Sequence, residues 1–109
     1  MNAMEMSEKI RQNRFIQNNG RILRAINILR TQYVSLSDLR YGLPSDITDG
    51  EYADSVNYLT EIGFIHVRNR ETKEKTTLAD TELRLLEAKL SGNGIRFLAG
   101  KISDDCVER

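Results

Sequence analysis

The sequence predicts one α+β domain in which three helices precede an antiparallel β-hairpin. Apolar residues recur at helical spacing in the first half of the chain, and two later segments alternate apolar and polar residues as strands do. Capping residues and glycines separate the helical segments. A chain of 109 residues, of which 39% are hydrophobic, can bury one core and has no room for a second.

Charge and cysteine content limit the classes of protein. The formal net charge is zero, with 16 basic and 16 acidic residues, which argues against an obligate binder of polyanions. Cys106 is the only cysteine, so no disulfide can form within the chain. No apolar stretch has membrane-spanning length and the N-terminus has no signal-peptide core, so we expect a cytoplasmic protein without a membrane partner.

Two helices are predicted before residue 32. Ser7 is a suitable N-cap for a helix over 7–18, which would form an N-terminal helical extension over 1–19. The run Asn18-Asn19-Gly20 is expected to interrupt it. A stronger apolar stripe then predicts a helix over 20–31.

A minimal strand at 33–34 and a second helix are expected next. Ser35 would cap this helix and Gly42 would end it. Pro44 forbids its continuation, so a turn over 42–47 leads to the third helix.

The third helix, over 48–62, has the clearest boundaries in the chain. Thr48 and Glu51 form a Thr-x-x-Glu capping box, and Gly63 is placed to end the helix in the left-handed conformation. The residues expected on its buried stripe are Tyr52, Val56 and Leu59.

The remaining chain predicts a hairpin and a last short helix. Strands are expected over 64–68 and 83–90, joined by a long polar loop over 69–81. Ser91 would cap a short helix that Gly100 closes. A C-terminal tail would follow over 104–109.

This order of elements is that of a winged helix-turn-helix: a three-helix core plus an antiparallel β-hairpin wing. The domain would cover 20–103, with the helix-turn-helix over 35–62. The helix over 7–18 and the short C-terminal helix are additions to this arrangement.

Two runs of sequence resemble winged-helix proteins. DSVNYLTEIGFIHVR resembles the end of a recognition helix and the first wing strand, and LEAKLSGNGIRFLAGKISDD resembles the closing strand and helix of small winged-helix proteins of Mu-like prophages. The matching residues in the second run are Leu90, Ser91, Gly94, Ile95, Ala99 and Gly100. The resemblance implies a prophage-type protein, which we expect to bind DNA in a regulatory role. The alternative is a protein-interaction module in phage assembly or packaging.

No catalytic or metal-binding constellation is visible in the sequence. His66 is the only histidine and lies mid-strand, whereas a structural zinc needs four ligands. Gly92-Asn93-Gly94 has no lysine placed as in a phosphate-binding loop. Asp104 and Asp105 are expected to be solvated. We therefore expect a protein that is not an enzyme and that needs neither cofactor nor metal.

The third helix would enter the DNA groove if the domain reads DNA. Ser55 and Asn57 would then hydrogen-bond bases, and Tyr58 would reach a phosphate. Asp49 and Glu51 near its start would repel phosphates. A solvated acidic face explains these residues about as well.

The wing is the better electrostatic candidate for DNA. Arg68, Arg70, Lys73 and Lys75 would contact phosphates and release counterions. Two interleaved glutamates reduce the positive charge, so an ordinary solvated hairpin tip is the alternative.

A second basic group predicts a homodimer. It lies on the first two helical segments, whereas residues 46–62 hold five acids and no base. The N-terminal segment of one copy could therefore meet the acidic segment of another, and such a dimer would weaken with salt. The members of the group are Arg11, Arg14, Arg21 and Arg24. Duplex DNA and a phage or host protein remain the alternative partners.

Overall fold

Four helices and a three-stranded antiparallel sheet make up the computed structural model, which describes residues 2–109, so the predicted α+β class is confirmed. The helices are α1 Ala3–Ile28, α2 Leu36–Tyr41, α3 Asp49–Glu61 and α4 Gly92–Leu98. The strands are β1 Val34–Ser35, β2 Ile65–Asn69 and β3 Leu86–Leu90. Over residues 2–109, none of the helices combines the length and the apolar character that crossing a membrane requires.

The first helix is continuous, so the predicted interruption at Asn18-Asn19-Gly20 is wrong. These three residues are buried, and the contacts of Asn19 and Gly20 with the C-terminal residues offset the weak helix propensity of this segment. The Asn19 side-chain amide donates a 2.8 Å hydrogen bond to the backbone carbonyl of Cys106. Asn2 caps the helix, five residues before the predicted cap at Ser7, by accepting a bond from the Glu5 backbone N–H.

The predicted caps of the next two helices are confirmed. Ser35 Oγ accepts the backbone N–H of Asp38, and Thr48 and Glu51 form the reciprocal capping box. Gly63 adopts a φ of +76°, the left-handed conformation that ends α3. The strand expected at 33–34 is shifted by one residue, because Val34 pairs with Ala88 and Ser35 with Glu87.

The sheet has the order β1-β3-β2, so β3 is central. Leu86, Ala88 and Leu90 are buried, as their alternation predicts. The strand begins at Leu86 and not at 83, because residues 83–85 form a 3₁₀ turn.

The core lies where α1 and α3 pack on each other and on the sheet. Two apolar residues outside the predicted stripes join it, since Phe97 of α4 and Val107 near the C-terminus are both buried. Its largest other fully buried members are Ile22, Leu23, Ile26, Leu36, Ile47, Tyr52, Leu59 and Leu86.

The loop between β2 and β3 folds back along the sheet. The Asn69 N–H donates to the Glu74 carbonyl at 2.8 Å, and the backbone of Lys75 pairs with that of Arg68 in an isolated antiparallel β-bridge. This segment therefore covers the edge of β2 that β3 leaves open. The chain then returns past α3, where Leu78 packs against the core.

The residues predicted to be a C-terminal tail pack against α1. The Glu108 N–H donates a 3.2 Å bond to the Ile16 carbonyl, and Val107 is only 5% exposed. We call residues 104–109 the C-terminal strap.

Candidate binding surface

The exposed face of α3 differs from the predicted one. Ser55 is completely buried, so the expectation that it faces solvent and could contact a base is wrong. Since α1 packs over α3, the buried stripe is wider than the three residues at helical spacing and includes Ser55.

Tyr58 is engaged within the fold. Its hydroxyl donates to the Asp104 carboxylate at 2.9 Å, and its ring meets Phe15 edge-on with 5.2 Å between the centroids. Burial and the bond to Asp104 raise the pKa of Tyr58. Asp104 is therefore a partner of Tyr58 and not the solvated carboxylate that was predicted, and Tyr58 anchors the C-terminal strap.

Asn57 is exposed, as predicted, and lies in a groove between α3 and the returning loop. The groove has a volume of about 410 Å³. Its lining residues are Gly50, Ala53, Asp54, Asn57, Leu78 and Ala79. The sequence does not predict the side of the groove formed by Leu78 and Ala79, because only the folded-back loop brings them to α3. We call the whole groove the α3 groove.

Charge on the exposed side of α3 is entirely acidic. Asp49, Asp54 and Glu61 are exposed, and the helix contains no lysine or arginine. Arg40 of α2 approaches Asp49 at 3.5 Å. The helix that would enter a DNA groove thus presents negative charge on its first two turns.

Two of the four bases predicted for the wing, Arg68 and Lys73, pair with the largely buried carboxylate of Glu87. Arg68 Nε donates to Glu87 Oε2 at 2.6 Å, and its guanidinium lies 3.5 Å from the ring centroid of Tyr33. Lys73 Nζ lies 3.6 Å from the same Glu87 oxygen. Arg70 and Lys75 are exposed, and neither forms an ion pair within residues 2–109.

Part of the basic group on α1 meets the acidic segment of the same chain. Arg14 Nε donates to Glu51 Oε2 at 2.8 Å, and Arg14 also lies 3.5 Å from Asp46. The hydrogen bond from Arg14 lowers the pKa of Glu51 to about 2. Arg24 lies 3.8 Å from Glu108. These arginines are therefore neutralised without a second copy.

Metal-binding groups do not come together in the part of the chain that the structure describes: no cluster of three or more His, Cys, Asp or Glu side chains is found there. His66 is exposed on β2, on the side of the sheet opposite buried Ile65 and Val67.

The order of elements and the central position of β3 are compatible with a winged-helix layout. Comparisons with protein-family models, with curated proteins and with solved structures find no match to the chain.

Proposed function

We propose that this chain is a non-enzymatic winged-helix protein that binds another protein through the α3 groove. The element order and the sheet order support the winged-helix assignment. The resemblance of residues 86–105 to proteins of Mu-like prophages supports a phage or host partner, in phage assembly or packaging.

The absence of basic residues from α3 carries the proposal. Asp49 and Asp54 stand exposed on the turns that would approach the phosphates of duplex DNA. Affinity for DNA comes largely from basic groups that neutralise phosphates, and carboxylates at that position oppose it. Because Ser55 is buried and the Tyr58 hydroxyl is bonded to Asp104, Asn57 is the one predicted base- or phosphate-contacting residue of α3 that remains exposed.

The composition of the α3 groove suits a protein partner. Ala53, Leu78 and Ala79 offer an apolar surface that can receive one apolar side chain. Asn57 and Asp54 at its margin can bond backbone N–H groups of the partner.

Binding to the DNA backbone is a second candidate, favoured by Arg70 and Lys75. These two exposed side chains have no carboxylate within ion-pair distance in the described part of the chain. In this alternative they would contact phosphates while Asn57 approaches a base edge. Two phosphate contacts would give a slope of log K against log salt of about −2.

A titration with duplex DNA separates the two candidates. At ~50 mM salt, where phosphate contacts contribute most, we expect no binding of the wild-type chain at tens of micromolar protein. The double variant Asp49→Lys, Asp54→Lys should gain salt-dependent affinity, whereas Asp105→Lys, which also adds positive charge at an exposed site, should not. Wild-type binding that is lost in an Arg70→Ala, Lys75→Ala variant would favour DNA.

Filling the α3 groove tests the protein partner directly. Wild-type protein and an Ala53→Arg variant would be compared in affinity capture from nuclease-treated lysate of the source cells, with Asp105→Lys as the control. We expect a protein that the wild type and the control retain and that Ala53→Arg loses. The same set of captured proteins for all three chains would contradict the proposal.

A further inference from the structure

The outward side of α1 carries exposed apolar residues near both ends of the helix. Met6 is 54% exposed, Ile10 is 59% exposed and Ile28 is 80% exposed. Ile28 follows Ile10 by 18 residues, which is about five complete turns at about 3.6 residues per turn, so both side chains leave the helix in the same direction. Met6 precedes Ile10 by about one turn and joins the same row.

This row points away from the core of the domain. Ile22, Leu23 and Ile26 of the same helix are fully buried and define the opposite side. Between Ile10 and Ile28 the outward row contains only polar residues, of which Asn13 and Gln17 are exposed and Arg21 is half-buried. We call this row, from Met6 to Ile28, the outward face of α1.

The outward face is complementary to itself in one orientation. If two copies of α1 lie antiparallel with Ile10 opposite Ile28, the two-fold axis passes level with Asn19. Gln17 of each copy then lies opposite Arg21 of the other, where an amide oxygen can accept from a guanidinium. Two apolar contacts flank this polar centre, and each residue pair occurs twice, as a two-fold interface requires.

Charge on the flank of the face agrees with the same orientation. Arg11 is exposed and has no ion-pair partner within residues 2–109. Arg11 precedes Leu29 by 18 residues, so the two lie on the same flank of α1. Leu29 borders a groove of about 440 Å³ that also contains the exposed Asp38 of α2. Antiparallel pairing therefore brings Arg11 of one copy to Asp38 of the other.

We propose that the outward face of α1 is a self-association surface, on which a second copy of the chain docks antiparallel. Burial of Met6, Ile10, Ile28 and Leu29 stabilises the pair, and the Arg11–Asp38 contacts select its orientation. This dimer differs from one held by the basic group and the acidic 46–62 segment, because Arg14 and Arg24 already have partners in their own chain. It is independent of the α3 groove, which lies on another helix.

Sedimentation equilibrium of the full chain tests the surface. We expect a reversible dimer that Ile10→Asp or Ile28→Asp weakens about tenfold or more, because the Ile10–Ile28 contact occurs twice in the interface and both copies are lost. Gln12→Asp is the matched control, because Gln12 is exposed on the same turns of α1 but, two residues after Ile10, leaves the helix on the opposite side. A chain that stays monomeric at every concentration, or a dimer equally sensitive to Gln12→Asp, would overturn the proposal.

Exchanging the charges of Arg11 and Asp38 tests the proposed contact between them. Arg11→Asp and Asp38→Arg should each weaken the dimer, and the two substitutions together should restore it. Both side chains are exposed, and the Ser35 cap uses only the backbone of Asp38, so folding should be retained. A double variant that is weaker than either single variant would contradict the Arg11–Asp38 contact.

Disulfide trapping tests the orientation. In a Cys106→Ser background, Ile10→Cys and Ile28→Cys chains would be oxidised separately and as a mixture. Antiparallel pairing predicts covalent dimers of mixed composition in the mixture and few from either chain alone. Efficient crosslinking of Ile10→Cys with itself would show a different pairing and overturn the assignment.

Discussion

The backbone carbonyl oxygen of Glu108 contacts Gly20 so closely that a Cβ on Gly20 would lie 2.1 Å from it. The C-terminal strap therefore crosses α1 at a residue without a side chain. Hydrogen bonds on either side hold it there, from Asn19 to the Cys106 carbonyl and from the Glu108 N–H to the Ile16 carbonyl. The close approach makes the strap part of the fold.

Gly20→Ala is expected to destabilise the protein, although alanine normally favours a helix over glycine by about 1 kcal/mol. The added methyl group must displace backbone of the strap, and overpacking of this kind typically costs about 1–3 kcal/mol. Gly50→Ala in α3 is the control, because the nearest atom to its added Cβ is 4.0 Å away. Urea unfolding of both variants measures the difference, and a Gly20→Ala chain as stable as wild type would show that the strap moves freely.

Val107→Ala is expected to lower the free energy of unfolding by about 1–2 kcal/mol, because two buried methyl groups are lost. Val107 is 5% exposed and belongs to the core. Lys101→Ala, at an exposed position before the strap, should change the stability by less than about 0.5 kcal/mol. Thermal and urea unfolding check both values. Equal stabilities would place Val107 at the surface in solution.

The Glu51 carboxylate should make stability depend on acidity. Hydrogen bonding to Arg14 lowers the pKa of Glu51 from 4.5 to about 2 in the folded chain. A lowered folded-state pKa stabilises the protein fully above the unfolded value, and this contribution is lost as the pH falls from about 4.5 through about 2. Glu51→Gln keeps the capping geometry but removes the charge. It should therefore be less stable at pH 7 and lose less stability on acidification.

The matched control for this pH dependence is Glu61→Gln, which removes an exposed carboxylate from the other end of α3. It should keep the wild-type loss of stability between pH 4.5 and 2. Urea unfolding at a series of pH values provides the comparison. Parallel pH profiles for wild type and Glu51→Gln would show that the Arg14–Glu51 pair does not persist in solution.

Arg68→Ala is expected to destabilise the sheet by about 1–2 kcal/mol, because it removes a charge-assisted hydrogen bond to Glu87 and a stacking contact with Tyr33. Arg70→Ala should stay within about 0.5 kcal/mol of wild type, since Arg70 is exposed. Unfolding measurements on the two variants distinguish a structural arginine from a free one. Equal stabilities would show that Arg68 is not held by Glu87 and Tyr33 in solution and is free to contact a ligand.

Local signals predicted most element boundaries correctly. The capping box at Thr48 and Glu51 and the left-handed Gly63 use backbone groups within a few residues, so their geometry follows from the sequence around them. The same holds for Ser91, whose hydroxyl accepts the Gly94 N–H. The alternation in β3 placed Leu86 and Ala88 inward correctly for the same reason.

The predictions for the binding surface failed where a distant residue is the partner. Ser55 follows Tyr52 by three residues and precedes Leu59 by four, so it borders the apolar stripe, and the packing of α1 buries it. Tyr58 meets Asp104 46 residues away, and Arg68 meets Glu87 19 residues away. No local pattern predicts that these polar groups are already occupied.

By itself the sequence determined the α+β class, the caps of α2, α3 and α4, and the side of each strand that faces the core, because each depends on interactions within one turn or one strand. Tertiary structure alone decided that α1 continues through Asn18-Asn19-Gly20. An isolated chain would tend to break there, since asparagine and glycine are weak helix formers. In the folded chain the strap accepts a hydrogen bond from the Asn19 amide and approaches Gly20 so closely that a side chain there would not fit. The packing of two segments more than eighty residues apart therefore outweighs the local preference.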